Sequence, residues 1–263
     1  MLSRPSFAPG PAMQRQNGWM LQLGEQWLAS RSAKPLDPIQ KSSDTTQAWF
    51  VEIGGVELFA KLYPTELIPT WGEAERKIAG ANLHSCIVPI TQVVEVQDGQ
   101  LFLYRLVDGD NLGGSDVRAR FMRLPVTRRA MAVVSTIEAL AAICNLGFAV
   151  VDWYEGNMIF DFERDRLWLF DWELCRPGRS FVLEMESNYG SSRLMAPEEF
   201  VRGSVIDEQT LVFNLGRFAL LYLPEWAEPL AAVLAKATYP ARAGRYRTVD
   251  SLLAALRSDL PSD

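Results

Sequence analysis

The chain has 263 residues, of which 48% are hydrophobic and 11% aromatic, so it can bury a large core and is not a disordered or fibrous protein. Its formal net charge of −6 gives no basic footprint, and no apolar run reaches the roughly eighteen residues of a membrane span, so neither nucleic acid nor membrane is an expected partner. Three widely separated cysteines and a single histidine argue against a zinc site or a histidine-dependent nucleophile, and the odd cysteine count without a secretory leader predicts a cytoplasmic protein.

The first part of the chain is predicted to hold a small sheet with one inserted helix. Residues 1–18 are rich in proline and polar residues, which predicts a flexible tail, and a short helix is expected from residue 19. Two β-rich runs flank the glycines at 54–55, which predicts a hairpin. A helix over 71–83 follows, and then two strands around a turn at 98–99.

Near residue 110 the pattern changes to long helical segments. Helices are predicted over 115–124 and 126–146, the second closed by Gly147 as a left-handed cap. The runs MIFDF and LWLF then predict a tight hairpin around the charged turn ERDR. Three more helices are expected between residue 207 and the C-terminus, the last with Thr248 as its N-cap.

Two acids and an amide bracket that hairpin. Asp152 and Asn157 stand five residues apart in VVDWYEGN, and Asp171 ends the run LWLFD fourteen residues after Asn157. Taken alone, these residues also fit an ordinary polar turn and an acid at a strand end, because Asp and Asn are common in turns. Their order, with Lys61 and Glu75 in the sheet-rich part, carries more information than any one of them.

From about residue 48 to the C-terminus this order resembles the protein kinase family. The resemblance implies an α+β, two-lobed fold with a tail at 1–18, an N-lobe with its leading helix at 19–106, and a helical C-lobe at 107–263. VVDWYEGN keeps the Asp and Asn of the family's H-R-D-x-x-x-x-N loop and loses the His and Arg. By this likeness Asp152 would accept the proton of the attacking hydroxyl, and Asn157 and Asp171 would bind Mg²⁺.

The family likeness also implies a nucleotide site for ATP. Lys61 in ELFAKLY matches the strand lysine that holds the phosphates, although a lysine on the wet face of an edge strand is the plainer interpretation. Glu75 would orient Lys61, and Glu73 is the competing residue. The adenine-binding hinge would comprise Tyr104 as gatekeeper, Arg105 and Leu106. Ser42 and Ser43 would take the place of the missing glycine-rich loop and meet the phosphates.

The strongest match is GSSRLMAPEEF, which resembles the G-T-x-x-Y-M-A-P-E end of the activation segment in Ser/Thr protein kinases. Ser191, Pro197 and Glu198 agree with it in register, although Pro followed by Glu also opens an ordinary helix. RYRTV further resembles a late family motif in which Arg245 would pair with Glu198.

Three departures from the family pattern affect the chemistry. Val151 replaces the arginine that reads an activation-segment phosphate, and Tyr154 replaces the lysine that neutralises the γ-phosphate. Leu211 stands in place of the aspartate that braces the catalytic loop, with Thr210 or Asp207 as candidate substitutes.

The sequence therefore predicts an ATP- and Mg²⁺-dependent phosphotransferase whose acceptor is a hydroxyl, foremost Ser or Thr of a protein. The alternatives are a small-molecule kinase of the choline or aminoglycoside type, favoured by the D-W-E form at Asp171, and a nucleotide-binding pseudokinase scaffold.

Overall fold

The computed structural model describes residues 34–38, 46–96 and 99–259, the first range by its backbone alone. The expected tail, the helix from residue 19, Ser42, Ser43 and the turn residue Asp98 lie outside the described residues. By its contacts the chain divides into two units. One comprises the chain up to Gly72 with Pro89–Leu106, and the other comprises Glu73–Val88 with Val107–Asp263. The lobes expected at 19–106 and 107–263 stay predictions.

The first unit contains a five-stranded antiparallel sheet with the strand order β1-β2-β3-β5-β4. The strands are β1 (Lys34–Pro38), β2 (Gln47–Ile53), β3 (Val56–Pro64), β4 (Ile90–Val96) and β5 (Gly99–Arg105). The predicted hairpin turns at Gly54 and Gly55, whose φ angles of 60° and 81° suit a residue without Cβ. The sequence does not predict β1, because proline is a poor strand residue, but an edge strand tolerates Pro35 and Pro38.

Alternate residues of three neighbouring strands form the core of the sheet. Each strand contributes two buried side chains separated by one residue, as the two-residue period of a strand requires. The six are Trp49, Val51, Ala60, Leu62, Leu101 and Leu103. Lys61 and its cross-strand partner Phe102 lie between these positions and therefore face the other side of the sheet.

The second unit is mainly helical. Its helices are α1 (Glu73–Ala79), α2 (Ser115–Met122), α3 (Val126–Asn145), α4 (Glu208–Tyr222), α5 (Ala231–Ala237) and α6 (Val249–Asp259). The helix predicted over 71–83 is shorter than expected, because the chain turns at Gly80 and then at Asn82, which has a φ of 55°. Ile137, Leu140 and Ile143 on α3 are fully buried, so this helix is central to the core.

The predicted helix ends are largely present. Gly147 follows α3 with a φ of 96°, and the Thr248 hydroxyl accepts a hydrogen bond from the Ser251 N–H at 3.1 Å. Asp207 caps α4 by accepting from the N–H groups of Gln209 and Thr210, at 2.9 and 3.3 Å.

Short strands complete the second unit and position the candidate site. They are β6 (Asp110–Asn111), β7 (Phe148–Ala149), β8 (Met158–Asp161), β9 (Arg166–Leu169), β10 (Arg176–Pro177), β11 (Ser180–Val182) and β12 (Val205–Asp207). β8 and β9 form the predicted hairpin, with β6 beside β8. Leu169 also exchanges backbone hydrogen bonds with Cys86 and Val88, at 2.7 and 2.9 Å, which ties the segment after α1 to β9.

Candidate active site

The segment from Asp152 to Asn157 is a closed turn. The side-chain amide of Asn157 donates to the carbonyl oxygen of Asp152 at 2.8 Å, and its N–H donates to the carbonyl of Tyr154 at 2.9 Å. The nitrogen of the amide is therefore committed as a donor. The remaining amide oxygen, Oδ1, is the atom with which Asn157 would bind a cation.

Asp152 and Asp171 both have left-handed backbone conformations, with φ of 58° and 73°. Among the described non-glycine residues only Asn82 and Asp165 share a positive φ, and both lie in turns. A left-handed conformation costs a residue with a Cβ about 1–2 kcal/mol, and such costs are concentrated at functional sites. Both acids that are predicted to act in chemistry therefore have an unusual backbone conformation, which they share with Asp165 in the hairpin turn.

The β8–β9 hairpin brings the two candidate metal ligands to one end. Met158 pairs with Leu169, and the N–H of Phe170 donates to the carbonyl oxygen of Asn157 at 3.2 Å. Asn157 and Asp171 therefore flank the first pair of the hairpin on its two strands.

Glu75 of α1 contacts the chain immediately after Asp171. Its Oε2 accepts a hydrogen bond from the Trp172 N–H at 2.7 Å, and the residue is 2% exposed. The competing residue Glu73 instead forms surface ion pairs with Arg76 and Lys77, which lower the pKa of its carboxyl group. The contact favours Glu75 over Glu73 as the helix residue that belongs to the site.

Two features support the turn that the sequence did not reveal. Asn111 donates from Nδ2 to the carbonyl oxygen of Gly156 at 2.8 Å, while its Oδ1 accepts from the Gly113 N–H at 2.7 Å. The ring of Tyr154 lies against Gly156 so closely that a Cβ there would be 2.3 Å from a ring carbon. Any larger residue at position 156 would therefore clash with the Tyr154 ring, a constraint that the sequence alone does not show.

Glu155 is a buried acid inside the same turn. Its side chain is 2% exposed and forms an ion pair with Arg193, while Arg118 approaches the same oxygen at 3.9 Å. Arg193 follows Glu155 by 38 residues, so no local pattern in the sequence predicts the contact. The pair joins the turn from Asp152 to Asn157 to the end of the predicted activation segment.

The predicted pair of Glu198 and Arg245 is present in two-pronged form. Arg245 Nη1 and Nη2 lie 2.6 and 2.9 Å from the two carboxylate oxygens, and the Arg245 side chain is fully buried. The guanidinium holds the pKa of Glu198 below its ordinary value even though burial acts in the opposite direction. Pro197 begins the short helical turn Pro197–Phe200 that carries Glu198.

Ser191 and Asp152 both line a small pocket, together with Leu211 and Asn214. Neither candidate substitute for the missing aspartate makes a described hydrogen bond to the turn from Asp152 to Asn157: Asp207 caps α4, and the Thr210 hydroxyl donates to Glu198 at 2.9 Å. Leu211 is 3% exposed and lines the same pocket as Asp152.

Lys61 lies on the central strand of the first unit and is only 2% exposed, so the interpretation as a lysine on a wet edge strand is wrong. Its Nζ lies 5.2 Å from the centre of the Tyr63 ring. Tyr104 is also buried, with its ring 5.7 Å from that of Phe59, and Arg105 is exposed at the end of β5. Leu106 follows, with 36% of its surface exposed.

Comparison with solved structures decides the fold. The chain is similar to the PknI kinase domain of Mycobacterium tuberculosis, with a TM-score of 0.60 and 17% identity over 86% of this chain and 95% of that one. It is also similar to the Cydia pomonella granulovirus kinase PK-1, with a TM-score of 0.65 and 14% identity over 90% and 97% of the two chains. The chain has a protein kinase-like fold.

The predicted α+β kinase-like fold is therefore confirmed, at identities that establish the fold alone. No family model and no curated protein matches the sequence. None of the helices in the described ranges is both long enough and apolar enough to cross a membrane.

Proposed function

We propose that this protein transfers the γ-phosphoryl group of ATP, with Mg²⁺, to a hydroxyl acceptor. One observation carries the proposal: Asn157 is hydrogen-bonded both to Asp152 and to Phe170, the residue before Asp171, and both acids have left-handed backbone conformations. A rigid turn of this kind can present a base and a metal ligand to the same transferred group.

The donor set fits Mg²⁺. Mg²⁺ prefers oxygen ligands and is usually held by one or two protein groups together with water and phosphate oxygens, rather than by a complete protein cage. Asn157 Oδ1 and the Asp171 carboxylate supply such a pair, and in the described ranges no three acid, histidine or cysteine side chains form a metal cluster. Bound Mg²⁺ would offset negative charge on the phosphate oxygens.

The chain's own residues have distinct roles in this proposal. Asp152 accepts the proton of the acceptor hydroxyl as the oxygen attacks. Lys61 is proposed to hold phosphate oxygens, because it matches the strand lysine of the kinase family and lies on the central strand of the sheet. Glu75 is proposed to orient it, and Tyr104, Arg105 and Leu106 to meet the adenine edge. Ser42 and Ser43 are proposed to meet the phosphates.

The acceptor class rests on the end of the activation segment. The segment GSSRLMAPEEF resembles the end of the activation segment in Ser/Thr protein kinases, and its Glu198 forms an ion pair with the buried Arg245. We therefore infer Ser or Thr of a protein as the acceptor.

Because Cys86, Cys144 and Cys175 are all unbridged and buried, a reducing, cytoplasmic setting suits the protein.

A small-molecule kinase is the second candidate, favoured by Asp171-Trp172-Glu173 and by Tyr154 in place of a lysine. Incubation with γ-labelled ATP, separately with protein acceptors and with amino or hydroxyl metabolites, distinguishes the two candidates. Label on serine or threonine supports the first, and label on metabolites alone supports the second. Tight ATP binding without transfer to any acceptor would leave the pseudokinase alternative.

A further inference from the structure

Two arginines lie beside the buried carboxylate of Glu155, and a third contacts the backbone of one of them. Arg193 forms an ion pair with Glu155, and Arg118 lies 3.9 Å from the same oxygen. Arg217 of α4 donates from Nε to the backbone carbonyl oxygen of Arg193 at 3.2 Å. Arg118 is anchored in turn by a 2.6 Å hydrogen bond to the carbonyl of Gly113. We call Arg118, Arg193 and Arg217 the arginine cluster.

The positive charge of the arginine cluster exceeds what Glu155 requires. Glu155 is the one carboxylate that the described ion pairs give to these three arginines: it lies beside the guanidinium groups of Arg118 and Arg193, and Arg217 contacts only the backbone of Arg193. The cluster therefore has more positive than negative charge, on a chain whose formal net charge is −6. Burial raises the pKa of the Tyr222 phenol, and the positive charges of Arg118 and Arg193 oppose that rise in part. An uncompensated positive site of this kind attracts anions.

The arginine cluster also keeps hydrogen-bond donors facing solvent. A guanidinium has five N–H donors in a planar fork. Half of the Arg193 side chain is exposed, at 49%, although the carboxylate that it contacts is buried. Within the described part of the chain, the Nη groups of Arg217 make no hydrogen bond, and Arg217 is exposed. These forks are suited to carboxylate or phosphate oxygens.

The arginine cluster is next to the proposed base. Glu155 is three residues after Asp152 in the closed turn, and Ser191, two residues before Arg193, lines the same small pocket as Asp152. An acceptor whose hydroxyl reaches Asp152 would therefore place its neighbouring groups near Arg193 and Arg217.

We propose that the arginine cluster selects an acidic acceptor: a protein segment in which the accepting Ser or Thr is flanked by Asp or Glu. This rests on the proposed function for the transfer step, but the binding of the segment does not depend on transfer. Glu155 has a positioning role, since its buried carboxylate holds Arg193 in place. Arg217 is the residue best suited to contact the acceptor, because it is exposed and its Nη groups make no described hydrogen bond.

The test uses the full-length protein and fluorescently labelled serine peptides flanked by Glu, by Gln or by Lys. Fluorescence anisotropy measures binding to wild type and to Arg217→Glu, and labelled ATP measures transfer. We expect wild type to bind the Glu peptide about tenfold more tightly than the Gln peptide, with the difference shrinking at high salt. Arg217→Glu should reverse the order so that the Lys peptide binds best.

Arg247→Glu is the matched control, because it makes the same charge change at another exposed arginine. It should leave the peptide order unchanged. Equal binding of the three peptides by wild type, or the same order in Arg217→Glu as in wild type, overturns the proposal. Competition by free glutamate or inorganic phosphate at the peptide's own concentration also overturns it, because the site would then take a small anion.

Selective binding of the Glu peptide without transfer has a different meaning. It supports the arginine cluster as an acidic-peptide site and contradicts the proposed protein kinase activity. Transfer to all three peptides at equal kcat/KM supports the proposed protein kinase activity and contradicts the arginine cluster as an acidic-peptide site. The two failures are thus distinguishable.

Discussion

The amide nitrogen of Asn157 donates a hydrogen bond to the backbone carbonyl oxygen of Asp152 at 2.8 Å, so the candidate metal ligand and the candidate base belong to one turn. The side chain of Asn157 thus fixes the backbone of Asp152. Substitution at either position is therefore expected to act on the other, and the separation of binding from chemistry needs a change that keeps the turn intact.

Asp152→Asn is such a change, since asparagine tolerates the φ of 58° and has nearly the same shape. Phosphoryl transfer should fall by roughly 10² to 10⁴, the usual contribution of a positioned base, while ATP affinity stays within a few-fold. Single-turnover transfer and an ATP titration measure the two quantities. Undiminished transfer in the variant would show that Asp152 is not the base.

Lys61→Ala should behave differently, weakening both ATP binding and transfer. Its cation is proposed to contact the phosphates in the ground state and in the transition state alike. The same titration and transfer assay apply, and circular dichroism detects a general loss of structure. Wild-type ATP affinity in a folded Lys61→Ala protein contradicts the proposed phosphate contact.

Asp171→Ala should abolish the Mg²⁺ dependence of nucleotide binding, because the carboxylate is one of the two proposed ligands. Thermal shift with ATP, in the presence and absence of Mg²⁺, measures the effect. Asp165→Ala is the control, since Asp165 is also an acid with a positive φ, 53°, but lies in the hairpin turn and pairs with Arg128. Equal Mg²⁺-dependent stabilisation in wild type and Asp171→Ala would remove Asp171 from the metal site.

Activity should not need phosphorylation of the activation segment. The Val151 side chain has no hydrogen-bond donor that could bind a phosphate, and the Glu155–Arg193 ion pair joins the segment to the turn from Asp152 to Asn157 without one. Phosphatase-treated protein, and the triple alanine variant of Ser180, Tyr189 and Ser192, should keep most of the activity. A loss of more than about a hundredfold, roughly 2.7 kcal/mol of barrier, would show that another cation reads a phosphate there.

The Glu198–Arg245 pair should be visible in the pH dependence of stability. The pKa of Glu198 is lowered in the folded protein from its ordinary 4.5, so its stabilising contribution is present above that pH and is lost as the pH falls through the folded value. Urea unfolding of wild type and Glu198→Gln should therefore converge on acidification below about pH 4.5. At neutral pH Arg245→Ala should cost about 3–5 kcal/mol, because a buried charge loses its partner. A constant difference between wild type and Glu198→Gln across this range would contradict the assignment.

The residues that the sequence predicts best are those whose neighbours in the chain explain them. The hairpin at Gly54-Gly55, the cap at Gly147 and the turn from Asp152 to Asn157 all depend on local geometry, which a short pattern contains. The Glu198–Arg245 pair is predictable for another reason, since family likeness substitutes for local information.

The features that the sequence missed join distant segments or contradict a local preference. The Glu155–Arg193 pair and the Asn111–Gly156 hydrogen bond link residues 38 and 45 positions apart, and nothing in either partner's neighbours indicates the other. Strand β1 carries two prolines, and only its place at the edge of the sheet makes it tolerable. The burial of Lys61 likewise depends on β3 lying in the middle of the sheet.

The grouping of Glu73–Val88 with Val107–Asp263 has a practical consequence for dissecting the protein. A single cut between residues 106 and 107 would not release the second unit whole. A fragment from 107 onward would lack Glu75, leaving the Trp172 N–H without its acceptor, and would lack the backbone partners of Leu169. The second unit is assembled from two separate stretches of chain, so it can be tested on its own only if both stretches are supplied, for instance as complementing fragments or as a permuted chain.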